Sequence, residues 1–404
     1  MLKELKFNIN PNYTNIHIRE LNKHFDPVMI LDSNSEFNSK VQTTYSKLIA
    51  LGTHQEFRIT KTLNMFSELQ EFYDNRNGWL FGYFTYDFKN RIEKLSSNNL
   101  NMIYFPELKL FSPEIVIQII GSSLILFFDN DLITQSKVIQ VYKMLFATTE
   151  KDNISFSPAI ELQNKITREE YINSVIQLKQ HIQNGDIYEI NFCHEFFAKN
   201  AEIDTVNTFT RLNEISHAPF SAYCKFHNHY LLCASPERFM QRVGNRLISQ
   251  PIKGTKKRSQ NQTEDLQLKE KLRNDEKERI ENIMIVDLVR NDLSKIAKKE
   301  SVNVDELCEI YSYKQVHQMI STISCEIEDK YNFVDIIKSM FPMGSMTGSP
   351  KVSAMKLIEN YESSLRGLYS GTIGYVNPEG DFDFNVIIRS ILYNQENKNL
   401  SFMV

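Results

Sequence analysis

The sequence predicts an α+β protein in which largely antiparallel sheets carry helices on their outer faces. The first observation is a series of short strand-like stretches, among them residues 221–226, 230–234 and 246–252, with turn residues between them. The second is that helix-like stretches stand apart from these strands instead of alternating with each of them. Strands that are neighbours in the sequence then pair with each other, which gives antiparallel sheets with helices packed outside.

One helix is predicted from residue 168 to residue 184. Thr167 is a good N-cap residue with Glu170 three positions later, and Asn184 followed by Gly185 is typical of a helix end. Apolar residues recur at helical spacing, so we expect one face of this helix to be buried. That face comprises Tyr171, Val175, Leu178 and Ile182.

Strands are predicted on both sides of this helix. Residues 115–128 form two strands joined by a Gly-Ser-Ser turn. Residues 186–196 alternate between apolar and polar side chains, as in one half-buried strand. Near the end, residues 369–376 and 382–393 flank the turn sequence Asn-Pro-Glu-Gly at 377–380, which predicts a hairpin.

The bulk composition indicates a large globular protein that binds neither nucleic acid nor membrane. The chain has 404 residues, of which 42% are apolar, so it can bury a large core. Its net charge of -4 and pI of about 6.2 argue against nucleic acid as a partner. Five scattered cysteines without CxxC pairs are typical of reduced thiols in the cytoplasm. No signal peptide or membrane span is predicted.

A polar segment at residues 148–165 divides the chain into two parts. We expect an N-terminal, strand-rich part over residues 1–150. The second part, over residues 160–404, contains the residues that suggest chemistry.

The most informative short stretch is Pro-Ile-Lys-Gly-Thr at residues 251–255. Its lysine, Lys253, is predicted to close an apolar strand just before a turn, where it would point into a site. A lysine is a nucleophile only without its proton, and a partly dehydrated pocket favours the neutral amine. The alternative is a solvated lysine in a basic loop, because Lys256, Lys257 and Arg258 follow directly.

Three further blocks accompany this stretch in a fixed order. They are residues 235–239 (Ser-Pro-Glu-Arg-Phe), residues 275–292 (beginning Asp-Glu-Lys-Glu) and residues 344–351 (Gly-Ser-Met-Thr-Gly-Ser-Pro-Lys). With these blocks, the sequence from about residue 166 onwards resembles the chorismate-utilising enzymes. This family includes anthranilate synthase, aminodeoxychorismate synthase, and the isochorismate and salicylate synthases. The resemblance implies a four-layer α/β/β/α sandwich in which both parts of the chain form one unit.

Within that family, Lys253 points to the aminodeoxychorismate synthases, since anthranilate synthases carry alanine there. The resemblance implies amination of chorismate to 4-amino-4-deoxychorismate in the folate and 4-aminobenzoate pathway. Ammonia would come from a separate glutamine amidotransferase subunit. Lys253 would form a covalent adduct with the substrate, and Glu237 would be the general acid. The alternative for Glu237 is a structural ion pair with its neighbour Arg238.

Two glutamates on the helix that begins near Asp275 are candidate Mg²⁺ ligands. Glu278 and Glu281 are three residues apart, which places both carboxylates on one helix face, and Mg²⁺ prefers oxygen ligands. The alternative for Glu278 is a capping box with Asp275, so Glu281 is the better candidate for direct contact. The resemblance further implies that chorismate is bound by Gly254, Thr255, His317, Thr347, Gly348, Tyr369 and Arg389, with Tyr369 and Arg389 expected on the last two strands.

Two departures from the family pattern stand out. Isochorismate-forming relatives carry a lysine base on the strand after Gly185, and amine-adding relatives carry glutamine, but this chain has Glu189. The sequence also stops at Val404, before the glycine-rich loop and acidic helix of the family, so we expect a fragment with weak metal binding and little turnover. Two functional alternatives remain, namely anthranilate synthase component I and a catalytically inactive member of the family.

Overall fold

The computed structural model describes residues 2–10, 16–38, 40–59, 64–146 and 159–404. In chain order, the strands of the first half are β1 (Leu2–Asn8), β2 (Val28–Asp32), β3 (Lys47–Leu51), β4 (Gln55–Phe57), β5 (Leu80–Phe84), β6 (Leu108–Ser112), β7 (Ile115–Ile120), β8 (Ser123–Asp129), β9 (Gln163–Asn164), β10 (Glu189–Ile190) and β11 (Glu195–Ala198). Those of the second half are β12 (Phe220–Phe226), β13 (His229–Ser235), β14 (Arg238–Val243), β15 (Arg246–Gln250), β16 (Ile252–Lys257), β17 (Asn303–Ser312), β18 (Val316–Glu326), β19 (Gly348–Ser349), β20 (Thr372–Val376), β21 (Phe382–Val386), β22 (Ser390–Asn394) and β23 (Asn399–Met403).

The helices lie between and after these strands. They are α1 (Ile18–His24), α2 (Met65–Asp74), α3 (Lys89–Ile92), α4 (Gln135–Leu145), α5 (Arg168–Asn184), α6 (Thr205–Ser216), α7 (Gln262–Arg273), α8 (Glu276–Ser294), α9 (Phe333–Met340) and α10 (Lys351–Tyr361), with short 3₁₀ turns at Tyr86–Phe88 and Gly344–Met346.

Two large antiparallel sheets form the body of the molecule. The first has the order β1-β8-β7-β3-β2-β12-β13-β22-β23-β11-β9. The second has the order β16-β18-β15-β14-β21-β20-β5-β6-β4, with β17 also paired to β18. Strands from before and after residue 150 meet in both sheets, because β2 pairs with β12 and β5 pairs with β20. The two parts of the chain therefore share one pair of sheets.

The sheets pack face to face, and helices cover their outer faces. On β2, Met29 and Leu31 belong to the large core that contains residues of both sheets, whereas Val28 and Ile30 belong to the core under α1, α4 and α6. This alternation is what a strand buried on both faces requires. On the other sheet, Phe333 of α9 packs against Phe382 of β21. The predicted four-layer α/β/β/α class is confirmed.

The predicted boundaries of α5 are confirmed, but its predicted buried face is wrong. Thr167 and Glu170 form a reciprocal capping box, and Gly185 ends the helix with φ of 82°. Of the four residues predicted to be buried, Leu178 alone is, while Tyr171 and Ile182 are 41% and 39% exposed. Most of this helix is exposed to solvent, and Leu178 is the residue of the predicted face that the rest of the protein buries.

Two other predicted strands are divided in the structure. Residues 186–196 form the separate strands β10 and β11, which pair with β19 and β23 respectively. Residues 246–252 belong to β15 and β16, which are separated at Pro251. Proline has no N–H to donate to a sheet, so the strand is interrupted there.

Other predictions concern the cysteines, the membrane and the connection between the two parts. All five cysteines are free thiols, as predicted. None of the helices in the described ranges is both long and apolar enough to cross a membrane. Most of the predicted connection at residues 148–165 lies outside the described residues, because the structure describes none of residues 147–158.

Candidate functional site

Lys253 lies inside β16. The sequence predicted that this lysine ends a strand just before a turn, and that prediction is wrong. The pairing of β16 with β18 shifts register between Ile252 and Thr255, and Gly254 has φ of 92° within this bulge. A bulge of this kind redirects the neighbouring side chain. The Lys253 side chain is 16% exposed, so the alternative of a solvated lysine is wrong.

The partner of Lys253 is Glu189, the residue that departs from the lysine or glutamine of the family pattern. Nζ of Lys253 lies 2.6 Å from Oε1 of Glu189, and the Glu189 side chain is 12% exposed. Glu189 is on β10, whose residues pair with Gly348 and Ser349 of β19. Gly348 has φ of 133°, and a Cβ atom there would lie 2.2 Å from the carbonyl oxygen of Glu189. Gly348 thus allows the close pairing that positions Glu189.

Glu237 is buried in the turn between β13 and β14, with 3% of its surface exposed. Burial raises the pKa of this carboxyl to about 7, against the opposing effects of a hydrogen bond from Ser345 and the positive charges of Lys253 and Arg389. The Ser345 hydroxyl donates to Oε1 of Glu237 at 2.5 Å. A carboxyl with this pKa can hold a proton near neutral pH, as a general acid must.

The predicted alternative for Glu237, an ion pair with Arg238, is wrong. The Arg238 guanidinium donates two hydrogen bonds of 2.9 Å to the carboxylate of Asp383 on β21. Both side chains of this ion pair are buried. Glu237 is therefore free of the salt bridge that would have kept it ionised.

Arg389 and Tyr369 lie next to the last strands and not on them. Arg389 occupies the connection between β21 and β22 with φ of 51°, and Tyr369 precedes β20. The charge of Arg389 acts on Glu237, and Tyr369 is among the ionisable neighbours of Arg389. A guanidinium is well suited to bind a carboxylate. These two predicted substrate-binding residues thus lie on the side of the site where Glu237 lies.

Three other predicted substrate-binding residues are engaged with their own scaffold. His317 is buried on β18, where Nδ1 lies 2.8 Å from Oγ of Ser312 and Nε2 lies 3.0 Å from Oδ1 of Asp265. Burial lowers the pKa of His317, and Asp265 opposes this effect. The buried Thr347 hydroxyl donates to the carbonyl of Met343 at 2.9 Å. Thr255 is exposed on β16, where its hydroxyl oxygen accepts a 3.5 Å hydrogen bond from Nε2 of Gln318.

The two candidate metal ligands lie at the start of α8. Asp275 caps this helix by accepting a 3.3 Å hydrogen bond from the backbone N–H of Glu278. The Glu278 side chain lies against Gly254, where an added Cβ atom would be 3.2 Å from Oε2 of Glu278. Glu281 forms an ion pair of 3.3 Å with Lys277. The carboxylate of Glu278 is therefore adjacent to the residue that follows Lys253.

Glu278 and Glu281 suit Mg²⁺, because this ion keeps several water ligands and takes few ligands from the protein. Glu278 is the one that lies against Gly254, next to Lys253 in the sequence. Across the described ranges, the structure contains no group of three or more His, Cys, Asp or Glu residues that could hold a metal ion. Glu278 and Glu281 could therefore supply only part of a coordination shell, and a bound anion and water would supply the rest.

Sequence reasoning missed the contributions of Ser345 and Glu189. Ser345 lies in the block at residues 344–351, of which Thr347 and Gly348 were the predicted substrate ligands. A hydroxyl in a tight turn after a helix was the available signal. The contact with Glu237 spans 108 residues of sequence, so no local pattern could reveal it.

Comparisons with known proteins agree with the fold. A family model described as chorismate binding enzyme matches residues 26–402. The aminodeoxychorismate synthase component 1 of Salmonella typhimurium is 34% identical over 324 residues, covering 79% of this chain and 69% of the relative. That of Escherichia coli is 30% identical over 363 residues, covering 86% and 78%.

Anthranilate synthases are also similar. The anthranilate synthase component 1 of Aquifex aeolicus is 30% identical over 333 residues, covering 78% of this chain and 67% of the relative. The crystal structure of anthranilate synthase component I from Streptococcus pneumoniae superposes with a TM-score of 0.76 at 20% identity, covering 100% of this chain and 86% of the other. The chain therefore belongs to the family of chorismate-binding enzymes and is a chorismate-utilising enzyme.

Proposed function

We propose that this enzyme aminates chorismate to 4-amino-4-deoxychorismate through a covalent adduct on Lys253. The observation that carries the proposal is a half-buried lysine near a buried glutamic acid whose pKa is about 7. This pair offers a nucleophile and a general acid at one site. The similarity to two aminodeoxychorismate synthase components supports this choice of reaction within the family.

The proposed reaction has two displacements. The neutral amine of Lys253 attacks C2 of the chorismate ring, and the C4 hydroxyl leaves as water with the proton from Glu237. Ammonia then forms a bond to C4 and the bond between C2 and the lysine nitrogen breaks. Dividing one difficult substitution into two steps is the benefit of covalent catalysis. The enolpyruvyl group stays on the product.

Binding of the substrate is proposed to use its two carboxylates. Arg389, with Tyr369 beside it, would hold one carboxylate through a bidentate hydrogen bond. Glu281, with Glu278 near Gly254, would hold Mg²⁺ close to the other. When bound, Mg²⁺ would neutralise negative charge on the substrate and fix its orientation. Gly254, Thr255, Thr347, Gly348 and His317 are proposed to shape the surrounding walls.

Ammonia is proposed to come from a separate glutamine amidotransferase subunit. The two relatives that are aminodeoxychorismate synthases are each named component 1. The five cysteines of this chain are buried thiols, which does not favour a cysteine nucleophile for glutamine hydrolysis among them. We further propose that the product serves the synthesis of 4-aminobenzoate and folate.

Product analysis by mass spectrometry tests this proposal. The full-length protein would be incubated with chorismate, Mg²⁺ and an ammonium salt, alongside the Lys253→Ala and Lys257→Ala variants. Lys257 is an exposed lysine of the same strand and serves as the control. We expect 4-amino-4-deoxychorismate from the wild type and from Lys257→Ala, and none from Lys253→Ala. Anthranilate with released pyruvate would transfer the assignment to anthranilate synthase, and absence of any product would indicate an inactive family member.

A further inference from the structure

We propose that Glu189 is a further catalytic residue, which accepts the proton of Lys253 before the amine attacks and returns it after the amine leaves. The attack itself rests on the proposed function. The proton exchange between the two side chains does not, because it concerns only this chain's own residues.

The geometry places acceptor and donor in direct contact. Nζ of Lys253 and Oε1 of Glu189 are 2.6 Å apart, within the range for proton transfer along a hydrogen bond. Both side chains are largely withdrawn from solvent, with 16% and 12% of their surfaces exposed. Water is therefore a poor competitor for the proton, and Glu189 is the base in contact with Lys253.

Oε2 of Glu189 is buried and has no hydrogen-bond partner among the described residues. A carboxylate is stabilised as an anion by the donors around it, and here Lys253 is the donor in contact. Transfer of the proton converts the buried ion pair into a neutral hydrogen-bonded pair. A poorly solvated site favours this neutral pair more than water does, because burial is unfavourable for charged groups.

The proton balance closes over one cycle. The lysine ammonium and the Glu189 carboxylate become an amine and a carboxylic acid, so the pair holds one proton throughout. The amine forms a bond to C2, and the hydroxyl that leaves C4 takes the Glu237 proton to give water. When ammonia has added to C4, the lysine departs as a neutral amine and regains its proton from Glu189. The nitrogen that ammonia brings to C4 carries one surplus proton, which passes to the Glu237 carboxylate and restores the acid.

Other ionisable groups near Lys253 and Glu189 also titrate, so the test must separate their influence on Lys253 from that of Glu189. Glu237 and Cys193 both interact electrostatically with Lys253, and Glu278 lies against the adjacent Gly254. Burial raises the pKa of the Cys193 thiol to about 12, so this thiol stays neutral in the range of the test. Glu237 titrates near pH 7, and the test therefore uses a Glu237→Gln background.

The first experiment requires no substrate. Brief labelling with acetic anhydride between about pH 6 and about pH 8, followed by peptide mass spectrometry, measures how much of each lysine is a free amine. Lys299, whose side chain is 92% exposed, is the internal reference. Because a pair that shares one proton has a fixed fraction of neutral amine, we expect a labelling rate that changes less than about twofold in Glu237→Gln. In the double variant that carries both Glu237→Gln and Glu189→Gln, the labelling rate of Lys253 should rise about tenfold per pH unit, as for an isolated lysine. Equal pH dependences in the two proteins would overturn the proposal.

The second experiment follows the adduct in a single turnover with chorismate and without ammonia. In Glu189→Gln, the rate of adduct formation should fall steadily below about pH 7, while Glu189→Asp keeps the wild-type pH profile at a lower rate. A Glu189→Gln variant with both wild-type rate and wild-type profile would overturn the inference. Failure of the wild type to form any adduct would contradict the proposed function, and the labelling comparison would still decide the role of Glu189.

Discussion

Ser345 and Glu237 are joined by a 2.5 Å hydrogen bond between the serine hydroxyl and Oε1 of the glutamate. The bond links the turn before β14 to the 3₁₀ turn that precedes β19. Despite this bond, burial dominates and raises the pKa of Glu237 to about 7. A general acid whose pKa lies near the working pH is efficient because it is both protonated and able to release its proton.

The first prediction concerns pH and activity. Because Glu237 must be protonated to act as an acid, kcat should fall about tenfold per unit as the pH rises above about 7. The Glu237→Gln variant should lose about 10²-fold to 10⁴-fold in kcat and should lack this limb of the profile. Steady-state kinetics from about pH 6 to about pH 9 measure both effects. A variant that retains the wild-type limb would show that another group is the acid.

The second prediction concerns stability. The pKa of Glu237 is raised from 4.5 to about 7 in the folded protein, so the unfolded chain ionises first as the pH rises. The contribution of this raised pKa to the free energy of unfolding is complete below about pH 4.5 and is lost as the pH rises through about 7. Relative to the wild type, Glu237→Gln should therefore gain about 2 kcal/mol in free energy of unfolding between pH 5 and pH 8. Urea unfolding at both pH values measures the gain, and a difference independent of pH would contradict it.

The third prediction concerns Mg²⁺. Replacing Glu281 or Glu278 by glutamine removes a negative oxygen ligand, so the affinity for Mg²⁺ in the presence of chorismate should fall at least about tenfold. The effect should be larger for Glu281. Glu276→Gln is the control, because this exposed glutamate is on the first turn of the same helix. Calorimetric titration measures the affinities, and an equal loss in Glu276→Gln would refute a specific role for the other two glutamates.

The fourth prediction concerns the glycine that supports Glu189. In Gly348→Ala, the new Cβ atom would clash with the carbonyl of Glu189 at 2.2 Å and would strain a backbone with φ of 133°. We expect a loss of at least about 3 kcal/mol in the free energy of unfolding, or failure to fold. Gly121→Ala is the matched control, because Gly121 has φ of 56° with no atom within 4 Å of an added Cβ. It should lose only about 1 kcal/mol. Similar losses in both variants would show that β10 does not need this close approach.

Local sequence signals predicted local structure well. The ends of α5 followed from Thr167, Glu170 and Gly185, because caps and left-handed glycines act within a few residues. The hairpin of β7 and β8 was likewise correct. The same helix shows where such signals fail, since the spacing of Tyr171 and Ile182 does not reveal whether another element covers them. Burial depends on distant parts of the chain.

The candidate site shows the same contrast between features that local sequence predicts and contacts that distant segments make. The resemblance of four blocks identified Lys253 and Glu237 as candidates, but neither Ser345 nor the contact of Glu189 with Lys253 was predicted. The first contact joins the 3₁₀ turn at Gly344–Met346 to the turn before β14, and the second joins β10 to β16. The strand also continues past Lys253 through the bulge at Gly254, where the Gly-Thr sequence had predicted a turn. Pairing between distant segments sets this chemistry, and one sequence does not display that pairing.

Intact-protein mass spectrometry is the decisive test of whether Lys253 is the nucleophile. The full-length protein would be mixed with chorismate and Mg²⁺ without ammonia, quenched with acid and digested to locate any added mass. We expect a mass increase equal to chorismate minus water, located on Lys253 and lost when ammonium is added before the quench. Product formation upon ammonium addition with no modification at Lys253, or an unchanged yield in Lys253→Ala, would contradict it.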